Sequence, residues 1–163
     1  MITMSIELLE QEKLVLTVIQ EYLNKNRNFN MKNILPFINA RFKMASVNIN
    51  NRGIEEILKT LTQKKIIVEG SKLTREDILI NKKRNLIYEF ILNNPGIYSN
   101  RIVKELNISN HVVIWHLNML LKFEFIKKQK IENHDIYFEI DFRLKNTELK
   151  YFTSKEKSRL IIE

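Results

Sequence analysis

The stretch NPGIYSNRIVKELNISNHVVIWHLNMLLKFEFIKKQKIENHDIYF, residues 94–138, decides the fold of this chain. It predicts a two-turn helix from Ser99 to Leu106 and a second helix from Ser109 to about Lys122, because a serine that can cap a helix precedes each apolar-periodic segment. Asn107 lies in the turn between them, where a left-handed backbone is wanted and Asn adopts it easily. Two helices joined by a tight turn are therefore predicted.

A β-hairpin is predicted after the second helix. In FEFIKKQKIENHDIYFEIDF, apolar and polar residues alternate as in two strands around a polar turn at residues 133–135. Tyr98, just before the first helix, is predicted to form a short strand that pairs with this hairpin. The order strand, helix, turn, helix and hairpin is that of the winged helix-turn-helix, whose second helix usually lies in the major groove of DNA.

The first half of the chain repeats this plan in outline. Three amphipathic helices are predicted over EKLVLTVIQEYLNKN, MKNILPFINARF and RGIEEILKTLTQKK. IIVEGSKLT follows, with a hairpin turn predicted at Glu69–Gly70. The sequence therefore predicts a mainly α fold with small β-hairpin wings, an α+β arrangement of two tandem winged-helix domains.

The predicted first domain is residues 1–73, a winged helix with a short wing that is a candidate for dimerisation or partner binding. The second is residues 74–142, the candidate DNA-binding domain, and residues 143–163 are predicted to form a C-terminal helix.

One continuous helix is predicted to join the two domains without a flexible linker. Thr74 can cap it, with Asp77 three residues further on as a carboxylate variant of the capping box. The helix is predicted to reach about Asn93 and to bury Leu86 among its apolar residues.

Composition limits the classes of function. The net charge is +8 and the pI about 9.6, which suits a polyanionic partner, and residues 81–163 hold 15 basic and 10 acidic residues against 12 and 9 before them. The chain has no cysteine, which excludes disulfides and thiolate metal sites. No signal peptide and no membrane-spanning stretch are evident, so we expect a cytoplasmic protein without membrane contact.

A family resemblance is carried by the quoted stretch. The run LNIS–NHVVIWHL–NMLLKFEFI is similar to the LGIS–xxTVSxHL–xxLexxGLI pattern of ArsR/MarR-like winged-helix transcriptional regulators, which are abundant in archaea. NPGIYSNRIVKEL looks like their NPGIxxxxIAxxL turn and helix. The match covers roughly residues 82–140, with Glu124 where the family usually has Gly. The resemblance implies an archaeal-type regulator that binds double-stranded DNA as a homodimer.

The resemblance also implies where the site lies. Val113, Leu117 and Leu120 become the core face of the recognition helix. The candidate DNA-binding residues lie on the outward face of that helix, at the start of the preceding helix and along a basic wing. They are Ser99, Arg101, Asn110, His111, Ile114, Trp115, Asn118, Lys127, Lys128, Lys130, Asn133 and His134.

An alternative is a protein-interaction scaffold built of tandem winged helices, as in the ESCRT-II subunits of the endosomal sorting machinery or in some transcription-machinery subunits. The recognition helix has no basic residue before Lys122 and carries Ile114 and Trp115, which are typical of a protein interface. Asn can equally read adenine and apolar side chains can contact thymine methyl groups, so an A·T-rich DNA site is the competing interpretation. A protein partner could therefore bind through the Trp115 face or the first domain.

Metal and enzyme chemistry have little support in the sequence. His111 and His116 are five residues apart and therefore point to different sides of one helix, unlike a helical pair of metal ligands. A histidine at the position of His116, next to the core residue Leu117, more often makes a structural hydrogen bond than binds a metal. There is no Gly-rich phosphate loop, no G-x-S-x-G and no cluster of His with carboxylates. We expect no cofactor and no catalytic activity.

Overall fold

A computed structural model describes residues 6–131 and 133–143 of the chain. Two compact units divide between Asp77 and Ile78. No helix among the described residues is long and apolar enough to cross a membrane. The predicted C-terminal helix lies outside the described residues.

The first unit is built on three helices: α1 (Glu10–Lys25), α2 (Met31–Met44) and α3 (Asn51–Gln63). Asn30 caps α2 and Asn50 caps α3, each accepting backbone N–H groups through its side chain. Ile19, Ile34, Ile38, Ile54, Leu58 and Leu61 are among the buried residues of the core.

The hairpin predicted in the first unit is wrong. Residues 64–74 hold a tight turn but no strand, with the Ser71 N–H donating to the Val68 carbonyl and Gly70 at φ 74°. Ile66 and Ile67 are buried in the helical core instead of pairing across a hairpin. The backbone of this turn hydrogen-bonds to Phe29 instead, since the Gly70 N–H donates to the Phe29 carbonyl and the Phe29 N–H donates to the Ser71 carbonyl.

The prediction of one continuous helix between the two domains is also wrong. Thr74 does contact Asp77, since its N–H and hydroxyl both donate to the Asp77 carboxylate at 2.8 Å. The helix that follows, α4 (Arg75–Ile78), is a single turn, and α5 (Lys82–Asn93) begins anew with Asn81 as its cap. Because α5 starts afresh, its buried face differs from that of one long helix, and Leu86 is 49% exposed.

The second unit contains α5, β1 (Ile97–Tyr98), α6 (Ser99–Leu106), α7 (Asn110–Lys122), β2 (Ile126–Ile131) and β3 (His134–Glu139). The strands form an antiparallel sheet of order β1-β3-β2, which confirms the predicted strand at Tyr98. The fold is thus mainly helical with a small antiparallel sheet. The hairpin turn is tighter than predicted, because Ile131 pairs with His134 and both His134 and Asp135 belong to β3.

Within residues 6–131 and 133–143, four helices end on a left-handed residue that is not glycine. The residues are Ser46, Lys65, Asn107 and Glu124, with φ between 50° and 55°. After each of them the next N–H returns to a carbonyl five residues back, as in the Schellman motif. The left-handed turn predicted at Asn107 is confirmed, and the turn at Glu124 is left-handed as well, although the residue is not glycine.

Candidate nucleic-acid interface

The helix α7 is fixed against the second unit by its apolar face. Val113, Leu117 and Leu120 are fully buried, as predicted for the core face. The chain reaches α7 from α6 through three residues, of which Asn107 is left-handed and Ser109 is the extended N-cap. The serine makes no side-chain capping hydrogen bond, so the cap geometry here is set by the backbone.

The opposite side of α7 presents polar side chains around one large aromatic ring. Asn110, His111, Trp115 and Asn118 are exposed, and we call these four side chains the outer face. Ile114 is half-buried between the outer face and the core. No acidic residue occurs anywhere in α7. The outer face can therefore offer amide donors and acceptors and an apolar surface without repelling a polyanion.

Trp115 rests on a buried cation that the sequence analysis did not single out. The indole is 54% exposed, whereas Arg84 of α5 is 1% exposed and lies with its guanidinium carbon 5.3 Å from the ring centroid. Arg84 Nη1 donates a hydrogen bond of 2.8 Å to the Ile78 carbonyl. Its place in the first turn of a basic, capped helix resembles a solvated position, so the sequence carried no signal of burial.

His116 lies beside Trp115 and is buried as well. The two rings meet edge to face with centroids 4.8 Å apart, and His116 is 3% exposed. Its Nδ1 has no hydrogen-bond partner in the described part of the chain, so the structural hydrogen bond expected of this residue is not found at that atom. Burial lowers the pKa of the His116 imidazole, and the positive charges of Arg84 and Lys83 act in the same direction.

The three lysines of β2 have different surroundings. Lys127 Nζ donates to the carbonyls of Ile140, at 2.8 Å, and of Phe142, so its ammonium binds the segment that follows β3. Lys128 and Lys130 lie on the opposite face of the hairpin from Lys127 and are both exposed. The cations that the hairpin presents to solvent on one face are therefore Lys128 and Lys130.

An acidic side chain shares that face. Asp135 lies directly across from Lys130 in the register, and its carboxylate accepts a hydrogen bond of 2.8 Å from Lys128 Nζ. This hydrogen bond raises the pKa of Lys128 and lowers the pKa of Asp135. Both side chains are well solvated, so the ion pair is open to competition from other charged groups.

The remaining predicted site residues lie at two places. Ser99 and Arg101 are half-buried at the start of α6, where Arg101 Nε is 3.7 Å from a carboxylate oxygen of Glu105. Asn133 and His134 are exposed at the hairpin tip, and the His134 ring lies 6.3 Å from that of Tyr98. Among the described residues no group of His, Asp or Glu is arranged to hold a metal ion.

Comparisons with known proteins show a sequence similarity over part of the chain. The chain is similar to an uncharacterized HTH-type transcriptional regulator of Methanocaldococcus jannaschii, with 30% identity over 107 residues. The match covers 64% of this chain and 27% of the relative, so the chain spans about a quarter of the relative's length. No protein-family model matches the chain, and no solved structure matches it.

Proposed function

We propose that the protein is a cytoplasmic transcriptional regulator that binds double-stranded DNA through its second unit. In this proposal α7 enters the major groove with its outer face toward the bases, and the exposed lysines Lys128 and Lys130 contact the flanking phosphates. The observation that carries the proposal is an outer face without any acidic residue, on a helix that is followed by a strand with three lysines, Lys127, Lys128 and Lys130. The similarity to a protein named as an HTH-type regulator supports the same conclusion.

We further propose that the two units are tandem winged helices of ArsR/MarR-like type. In each unit a helix ends on a left-handed residue, another helix follows within a few residues, and that helix ends on a second left-handed residue. Ser46 and Lys65 hold these places in the first unit, and Asn107 and Glu124 in the second. The first unit has no strand among its described residues, so it would be a copy whose wing has been lost. It is the better candidate for dimerisation.

The alternative function is a protein-interaction scaffold. Its support is the half-exposed Trp115, since large aromatic side chains are frequent anchors of protein interfaces. A partner that covered Trp115 would use the same face that the DNA proposal assigns to bases. The two functions therefore differ in whether binding depends on the charges of Lys128 and Lys130.

The test is DNA binding by fluorescence anisotropy over a salt series, with A·T-rich and G·C-rich duplexes. A variant with Lys128→Ala and Lys130→Ala is expected to lower the slope of log K against log salt by roughly two units, since each phosphate contact contributes about 0.9. A control with Lys25→Ala and Lys72→Ala removes the same charge from exposed sites in the first unit. Equal slopes in all three proteins, or no binding at low salt, would contradict the proposal and favour the scaffold.

A further inference from the structure

Arg84 is a charged side chain buried where no acidic group compensates it. It has no ion pair with any acidic residue in the described chain, and its Nε has no hydrogen-bond partner there. Burial lowers the pKa of its guanidinium, as expected for a cation removed from water. Desolvating a charge without a full set of partners is unfavourable, so the arrangement calls for a role beyond stability.

The partners that Arg84 does have fix its position. One guanidinium nitrogen is bound to the Ile78 carbonyl, and the guanidinium faces the indole of Trp115. A cation over the face of a Trp is attracted by the ring quadrupole, most strongly where water is excluded. The buried His116 ring meets the same indole edge to face. Trp115 is thus held by two buried side chains while half of its surface is exposed.

We propose that Trp115 is the specificity-determining residue for thymine and that Arg84 is the positioning residue that holds it. This inference rests on the proposed function. Thymine differs from the other bases in the major groove by its C5 methyl group, which an apolar surface can contact. His111 lies one turn before Trp115 and Asn118 one turn after it, so groups that can hydrogen-bond to bases flank the ring.

The probe is uracil in place of thymine. Deoxyuridine lacks only the C5 methyl group, so a duplex with uracil keeps the hydrogen-bonding edges and the phosphate charge. The wild type is expected to bind an A·T-rich duplex more tightly than its uracil counterpart, by roughly fourfold for each methyl group buried against the ring. Trp115→Ala is expected to bind the two duplexes equally.

The role of Arg84 is tested by Arg84→Met, which replaces the cation with an unbranched apolar side chain. Lys83→Met is the matched control, because it removes the same charge from the neighbouring exposed position. The thymine preference is expected to fall in Arg84→Met and to stay unchanged in Lys83→Met. Arg84→Lys keeps a cation near the indole and is expected to restore most of the preference. It also carries the test if Arg84→Met does not fold.

A second readout needs no DNA. Trp115 is the only tryptophan of the chain, so its fluorescence anisotropy reports how firmly the indole is held. We expect the anisotropy to fall in Arg84→Met and not in Lys83→Met. A role of Arg84 in stability alone would lower the unfolding temperature without changing the thymine preference of the folded protein.

The outcomes separate the inference from the proposed function. If the wild type binds thymine and uracil duplexes equally, the proposed function stands and the inference is overturned. If Trp115→Ala loses the preference but Arg84→Met keeps both the preference and the wild-type anisotropy, the positioning role of Arg84 is overturned. If the wild type binds neither duplex, both proposals are overturned.

Discussion

His116 is a buried titratable side chain whose protonation the fold opposes. Its burial and the cations Arg84 and Lys83 all lower its pKa, so the unfolded chain binds a proton more readily than the folded chain. Above the unfolded pKa of about 6.5 the imidazole is neutral in both states and does not lower the free energy of unfolding. Below that pKa the unfolded chain takes up the proton more readily, so the free energy of unfolding falls with pH.

We expect the free energy of unfolding to decrease below pH 6.5, by up to about 1.4 kcal/mol per pH unit from this residue. The measurement is urea unfolding at pH 7.5 and at pH 5.5, compared with His116→Gln. The variant should lose less stability between the two pH values, and His111→Gln, altered at an exposed site, should behave as the wild type. Equal losses in all three proteins would show that His116 does not govern the acid dependence.

Asp135 neutralises part of the basic face of the hairpin. If Lys128 and Lys130 contact phosphates, Asp135→Asn should tighten DNA binding, because Lys128 loses its competing partner and the face gains one net positive charge. The salt slope should become steeper by about one unit. Weaker or unchanged binding in the anisotropy assay would argue that this face points away from DNA.

Lys127 is expected to act in stability and not in binding. Lys127→Ala removes charge-assisted hydrogen bonds to the carbonyls of Ile140 and Phe142, at an expected loss of about 1–3 kcal/mol in the free energy of unfolding. Urea unfolding should show this loss, while the salt slope of DNA binding stays at the wild-type value. A lower slope with unchanged stability would instead place Lys127 on the phosphates.

At the scale of elements, the helix ends carry backbone strain that glycine would relieve. A non-glycine residue in the left-handed conformation costs roughly 1 kcal/mol relative to Gly. Ser46, which follows α2, is exposed and has φ 54°, so its substitution changes little besides the backbone.

We therefore expect Ser46→Gly to raise the free energy of unfolding by about 0.5–1 kcal/mol. Ala45→Gly is the adjacent control, because Ala45 has φ −88° and gains nothing from glycine there. It should lower stability, since glycine adds conformational freedom to the unfolded chain. The free energy of unfolding of the two variants is measured by thermal or urea unfolding. A change in the same direction for both would contradict the proposed strain at Ser46.

At the scale of the whole molecule, the homodimer that the family resemblance implies gives a prediction about operator geometry. A dimer with two α7 helices binds half-sites about one helical turn apart, so it should place two chains on one duplex. Inserting about half a helical turn between the half-sites of a selected operator should weaken binding strongly. Sedimentation of the complex gives the stoichiometry. One chain per duplex, indifferent to the spacing, would show that a monomer binds.

The sequence predicted the second unit well because its signals are local. Asn107 favours a left-handed turn, and the core face of α7 follows from its periodicity, whereas burial along β2 and β3 does not alternate as the sequence predicted. The break between α4 and α5 was missed, because Asn81 as a helix cap competes with an apolar pattern that continues through Leu79 and Ile80. The first unit's wing was overestimated because a turn alone does not supply a pairing strand.

In the candidate site, too, local features were predictable from the sequence and contacts between elements were not. The sequence by itself determined which helix is exposed on one side and which strand is rich in lysine, since both follow from patterns within a few residues of each other. Tertiary structure decided which groups are committed: Lys127 to carbonyls beyond β3, Lys128 to Asp135, and Arg84 to the underside of Trp115. These contacts join residues of different elements, and the charge of a side chain does not tell whether packing has buried it or left it in water.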